Sequence, residues 1–292
     1  MQGNEVWIPA SCAFVPYLFE SGVEPFTHMP ISTGLAAGSS LESCIDKGVC
    51  EIIERDALMI IWYARIPVPR IDPMSCYGIS AEIDGLLGSI RTAGTSWLLN
   101  CLTLDVDIPV VSAALIDEGS PPLTSFGIAA NMDPTRALQN ALEEAVMTRL
   151  LVNRCGELRD YPMNENHEFR TLRDHLLGHA GSSQLRTRMK FLTSDGPLVD
   201  FSNVGWSFDS TTTSVQKCRA AGLEPIWTEI TTPDVSEFGF KVVRTVIAGM
   251  QPLDNDHRYR HLGGARLLSV PRKLGYGLRS IEELNPDPHP FP

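Results

Sequence analysis

The chain of 292 residues has no apolar run near the roughly 18 residues that span a bilayer as a helix. It has no block of basic residues either. With a net charge of −11 it offers no positive stripe to neutralise phosphates, which excludes a nucleic-acid partner and leaves ATP open through local metal and arginine. Its seven cysteines are scattered, odd in number and contain no C-x-x-C pair, so a disulfide framework and a zinc knuckle are both disfavoured. No positively charged start precedes an apolar stretch at the N-terminus, so no signal peptide is read there. The expectation is a reduced, cytoplasmic protein.

Several catalytic signatures are also missing. Gly34 to Gly38 has no lysine behind it, so there is no phosphate-binding G-x-x-x-x-G-K-[ST] loop. A G-x-S-x-G elbow is absent too. His175 and His179, and again His257 and His261, stand four residues apart without the glutamate of H-E-x-x-H. They read as surface or core histidines rather than metal ligands.

What is present is enough apolar sequence, 43%, to bury one large domain or two packed lobes. Residues 5–20 read as a short strand region between prolines. Ser39 followed by Glu42 reads as a capping box opening a helix that runs to Trp62 or Tyr63, before Pro67 and Pro69. Residues 96–104 and 108–116 are short apolar runs expected to be buried strands. Asp133-Pro134 starts a second long helix, to about Val152. A third helix is expected near 168–178, within a polar, variable stretch over 155–200. Two further strands flank a Thr232-Pro233-Asp234 turn. Strands and helices interleave irregularly, which predicts an α+β fold of mixed and antiparallel sheets packed with long helices.

Chemistry concentrates on the two long helices, which loosely repeat a scheme of small turn, cap, apolar face and acidic pair. Glu51 and Glu54 are three residues apart on one face, with Arg55 beside them. Paired carboxylates suit a hard cation such as Mg²⁺, and a guanidinium forks onto phosphate. The alternative is a solvated face with a Glu51–Arg55 ion pair. Glu143, Glu144 and Arg149 on the second helix admit the same two readings. Arg244 is a lone cation in an apolar strand. It reads as a partner for a buried anion or ligand, or as a snorkelling edge-strand arginine. The last residues, PDPHPFP over 286–292, alternate proline and read as a stiff arm ending in a free carboxylate. In that reading the arm acts through its position and adds little to stability.

The chain resembles the YcaO family of ATP-using enzymes. The resemblance rests on S-T-G-L-A-A-G at 32–38, E-x-x-E-R-D-A at 51–57 and ALEEAVMTR at 141–149. It continues through VVRTVIAGMQPL at 242–253 and HLGGARL at 261–267. The PDPHPFP end resembles the P-x-P-x-P terminus of the azoline-forming cyclodehydratases, which modify ribosomally made peptides. The resemblance implies a YcaO domain over 1–292 with a proline-rich tail at 286–292, and Mg²⁺ and ATP as cofactors. It implies Glu51 and Glu54 as metal ligands, Arg55, Glu144 and Arg244 as nucleotide-binding residues, and Pro290 and Pro292 in the catalytic tail.

The implied partners are a precursor peptide and a leader-peptide-binding protein, with a homodimer as a further option. The implied reaction turns Cys, Ser or Thr into thiazoline or oxazoline. Relatives usually carry an earlier S-x-x-x-E-x-x-E-R segment that completes the nucleotide site, and it is expected to be missing here. Ser39, Ser43 and Met147 stand where the family pattern has asparagine, glutamate and glutamine. A fragment, a split subunit and a degenerate member all fit these departures. The alternative functions are a non-catalytic scaffold that binds peptide or partner, and a YcaO enzyme forming thioamides or amidines.

Overall fold

The computed structural model describes residues 5–26, 28–90, 94–117, 119, 123–155, 168–182, 186–207, 209, 211–277 and 280–291. In chain order the strands are β1 (Leu35–Gly38), β2 (Arg70–Ile71), β3 (Thr95–Cys101), β4 (Val110–Asp117), β5 (Thr124–Ala130), β6 (Leu198–Val199), β7 (Pro225–Glu229) and β8 (Lys241–Ile247). The first helices are α1 (Ala10–Ala13), α2 (Leu41–Ala64), α3 (Ala81–Ile90), α4 (Pro134–Cys155) and α5 (Leu172–Gly181). The architecture is α+β. The chain forms two compact units, one of residues 1–52 with 214–248, the other of residues 53–213 with 249–292.

The first unit is built on a three-stranded antiparallel sheet in the order β1-β8-β7. Ser32 to Gly34 forms a turn, closed by the Leu35 N–H donating to Ser32 O at 2.8 Å, and the strand follows at once. Gly34 has φ +88° and its O accepts from Thr245 N at 2.7 Å. A side chain there would meet Thr245 O at 2.3 Å, so only glycine fits. The start of α2 lies equally close, since a Cβ on Gly48 would come within 2.7 Å of Thr245 Oγ1. The helix begins one residue later than the Ser39 cap predicts. Ser40 caps it, its Oγ accepting the Ser43 N–H at 3.2 Å. Residues 5–20 hold a short helix, α1, and no strand among the described residues. The Thr232-Pro233-Asp234 segment starts a helix over Pro233–Glu237, proline taking the first-turn position.

The second unit carries a five-stranded sheet in the order β5-β4-β3-β2-β6, antiparallel except for β2 with β6. From Ala57 to Tyr63 every residue of α2 is apolar and buried, as expected of a helix enclosed on all sides. It ends at Ala64, and Arg65 turns into the left-handed region at φ +50° ahead of Pro67. Helix α4 folds back from Asp133, whose carboxylate accepts the Thr135 N–H at 2.9 Å. It packs directly onto β5. Ala137, Leu138, Ala141, Leu142 and Ala145 interlock with Leu99, Val111, Ala113 and Ala129. Helix α5 starts at Leu172 with a capping box between Thr171 and Asp174, four residues after the predicted start.

Candidate functional site

Strand β5 pairs only with β4 among the described residues, so its outer edge presents backbone N–H groups to be satisfied. Two carboxylates take them. Glu54 Oε2 accepts the Ala130 N–H at 3.0 Å, and Glu144 Oε2 accepts the Ile128 N–H at 2.7 Å. Ile128 and Ala130 are two residues apart on one strand edge, about 7 Å by strand rise. Acidic residues from α2 and α4 therefore meet at one edge of the second unit. Arg55 Nε lies 3.6 Å from Glu54 Oε1, with both side chains largely buried.

Glu143 is exposed and accepts from Gln139 at 2.8 Å. Arg149 pairs with Asp117 at the end of β4, 2.9 Å away.

Glu51 belongs to the first unit, where its Oε2 accepts the Gly34 N–H at 3.0 Å. Arg244 lies in β8, the central strand of the sheet, and is 7% exposed. A snorkelling edge-strand arginine is therefore ruled out. Its Nη1 donates to Ile31 O at 2.8 Å, while Nε has no hydrogen-bond partner among the described residues. Burial pulls its pKa below the ordinary arginine range, opposed by the charges of Cys12 and Glu51. Arg244 forms part of the wall of a cavity of about 490 Å³, with Trp7, Phe14, Ile226, Trp227 and Thr228. A buried guanidinium with an unused donor at an open cavity suits an anionic ligand.

Among the described residues no three His, Cys, Asp or Glu side chains are grouped to hold a metal by themselves. Mg²⁺ takes a few carboxylates and completes its shell with phosphate oxygens and water. Within the second unit Glu54 and Glu144 carry carboxylate oxygens, the donor type that Mg²⁺ takes, and within the first Arg244 carries an unused Nε donor, the type that an anion takes.

Two arrangements were not foreseen. Arg266 makes two paired contacts, Nε and Nη2 to the Asp56 carboxylate at 2.9 and 2.7 Å, Nη1 and Nη2 to Asp105 at 3.1 and 2.7 Å. Gln251 N also donates to Asp56 Oδ1 at 2.7 Å. The charged residues in E-R-D-A and G-G-A-R were visible, but their meeting depends on a separation of 210 residues.

The second is the tail. Phe291 is 1% exposed and packs on Phe126 with ring centroids 5.1 Å apart, and His289 and Pro290 are buried. The expected stiff arm is instead part of the packed structure, with bends at Asp287 and Pro290. The i,i+4 histidines are the reason. His175 and His179 are core residues whose ring nitrogens bond the carbonyls of His289 and Pro288. Pro292 lies outside the described residues.

An α+β fold with carboxylates from two acidic helices on a sheet edge, and no phosphate-binding lysine loop, defines the class. The chain belongs to the YcaO family, described as YcaO cyclodehydratase, ATP- and Mg²⁺-binding, which matches residues 1–251. A relative from Methanothermobacter thermautotrophicus is 28% identical over 263 residues, 87% of this chain and 64% of the relative. Among solved structures, a heterocyclase in complex with substrate and cofactor is 25% identical with a TM-score of 0.72. The likeness covers 97% of this chain and 36% of that one. YcaO from Methanopyrus kandleri, bound with AMPPCP and Mg²⁺, shares the fold with a TM-score of 0.61 and 22% identity, over 83% of this chain and 60% of that one. This chain thus spans less than two thirds of the length of each. No helix among the described residues is long and apolar enough to cross a membrane.

Proposed function

We propose that this chain serves an ATP-dependent cyclodehydratase that converts Cys, Ser or Thr of a ribosomally made precursor peptide into thiazoline or oxazoline. The observation that carries the reading is the 25% identity to a heterocyclase along 97% of the chain. The carboxylates at the β5 edge and the buried Arg244 support it. In this reading Glu51 and Glu54 hold Mg²⁺, Arg55 and Arg244 hold phosphates, and Glu144 binds the nucleotide.

The residues act by placement and charge. Glu54 and Glu144 each accept a backbone N–H at Oε2, which fixes the carboxylate plane. Arg244 has lost its hydration to burial, so its unused Nε–H gains the more from an anionic oxygen. When bound, Mg²⁺-ATP supplies the phosphoryl group that makes the peptide amide oxygen a leaving group. In this reading Pro290 and Pro292 belong to the catalytic tail. The precursor peptide reaches the enzyme with a leader-binding partner, in the cytoplasm, and residues 1–292 belong to one YcaO domain that includes the proline-rich segment 286–292.

The test is calorimetric titration of Mg²⁺-ATP into the full chain and into Glu51→Gln and Glu54→Gln, with circular dichroism to check folding. Both variants should keep the fold, because an amide oxygen still accepts the Gly34 or Ala130 N–H, and both should lose Mg²⁺-ATP binding. Binding at the parental level by both removes the metal assignment. Peptide-dependent phosphate release with loss of one water per ring, read by mass spectrometry, separates cyclodehydration from scaffold binding.

A further inference from the structure

Among the described residues six cysteines carry free thiols, and five of them are buried. Burial pushes the thiols of Cys44, Cys76 and Cys101 up, away from the reactive thiolate. Cys12 differs. It lies in α1 and is half-buried, and its Sγ stands 3.8 Å from His28 Nε2, within hydrogen-bond reach for sulfur. Phe19 meets the His28 ring edge-on, with centroids 6.3 Å apart, and itself packs against Tyr17 and Phe26. The imidazole is thereby held beside the sulfur.

A cation completes the surroundings. Ala10 and Ala13, on either side of Cys12 in the sequence, line the cavity of about 490 Å³ together with Arg244. Arg244 is 7% exposed and has an unused Nε–H. Burial lowers its pKa, and the charge of Cys12, ahead of that of Glu51, opposes the lowering. Cys12, His28 and Arg244 all belong to the first unit. An accessible thiol with a proton acceptor at its sulfur and a cation nearby is the setting in which cysteine reacts as a nucleophile.

We propose that Cys12 is a peroxide-reactive thiol, with His28 as its proton acceptor and Arg244 as the cation that receives the leaving oxygen. His28 Nε2 takes the thiol proton, and the sulfur attacks one oxygen of a hydroperoxide. An S–O bond forms and the O–O bond breaks, so the sulfur gives two electrons to the peroxide. The leaving oxyanion, hydroxide where the oxidant is hydrogen peroxide, meets the Arg244 Nε–H and takes the proton from His28 to become water. Cys12 is left as a sulfenic acid, the first and reversible stage of thiol oxidation. The assignment goes beyond the nucleotide reading, and its test contains no ATP.

The full chain is treated with hydrogen peroxide beside a 1,3-dione that traps sulfenic acid, and the adducts are mapped by peptide mass spectrometry. Cys12 should be trapped at least about tenfold faster than any other cysteine. Trapping spread evenly over the thiols overturns the proposal.

His28→Ala separates chemistry from access. Removing the imidazole uncovers Sγ, so access alone predicts a faster reaction. Loss of the proton acceptor predicts a reaction at least about tenfold slower, restored by added free imidazole. An unchanged or faster rate overturns the role of His28 and the proposal with it. Arg244→Leu, with its fold checked by circular dichroism, should slow trapping as well, and Arg244→Lys should stay closer to the parent. An unchanged rate in the folded leucine variant overturns the part given to Arg244. If the loss of a buried arginine unfolds the chain, the His28 arm decides.

Discussion

The imidazole rings of His175 and His289 lie stacked, 3.9 Å between centroids and 13° between planes. One ring sits on α5 and the other near the C-terminus, so the contact closes a loop of 114 residues. Both rings are buried, and burial pushes both pKa values down; two charged rings at this distance would also repel.

Stability should therefore depend on acid in a defined window. The folded-state pKa values of His175 and His179, about 4 and 3, lie below the unfolded value near 6.5. The unfolded chain then binds more protons across that interval. The stabilisation from keeping these rings neutral is fully present above about pH 6.5 and is lost as pH falls towards 4 and then 3. Urea midpoints should decline from pH 6.5 to 4, and His175→Gln should flatten part of that slope. A midpoint independent of pH over this range contradicts the neutral assignment.

Phe291→Ala should cost about 3–5 kcal/mol, the range for truncating a buried phenylalanine. The tail read from sequence alone predicts almost no change. Urea unfolding of the full-length variant distinguishes the two, and a shift under about 1 kcal/mol would show that Phe291 is not core.

Replacement of Gly127 by alanine should be strongly destabilising, because its Cβ would lie 2.3 Å from Ala141 O and 2.4 Å from Ala145 N. Backbone atoms of α4 cannot step aside as a flexible side chain does. Gly85 in α3 has nothing within 4 Å, and Gly85→Ala should stabilise by about 0.5–1 kcal/mol through helix propensity. Thermal melts of the two variants should move in opposite directions.

Substituting Arg266 with leucine leaves Asp56 and Asp105 buried without their shared cation. A loss of about 3–5 kcal/mol is expected, as for removing one partner from a buried ion pair. Arg266→Lys should recover only part of it, since an ammonium cannot make two paired contacts. Equal stability of the lysine variant and the parent would show that the double fork contributes nothing.

Much of this was readable along the chain. Helix α4 followed from Asp133-Pro134 and α2 from its apolar spacing, because caps and 3.6-residue periodicity are local. The strand β5, by contrast, was missed. Its sequence TSFGIAA lacks alternation and is poor in β-branched residues, and all seven positions are buried. The small residues there serve the close approach of α4, a demand that acts between elements and leaves no periodic trace. Strand β1, Leu35–Gly38, was likewise not expected, because four residues with small side chains carry little strand signal of their own.

The sequence by itself determined the α+β class, the two acidic helices, the arginine in an apolar strand and the family, since short motifs in order survive without knowledge of contacts. Only the tertiary structure decided what those residues touch. It placed Glu54 and Glu144 on one strand edge, buried Arg244 in a central strand, joined Asp56 to Arg266 and packed Phe291 against Phe126. The physical reason is range. Capping, periodicity and proline restriction act over a few residues, whereas desolvation and hydrogen-bond satisfaction depend on which distant segments exclude water from one another.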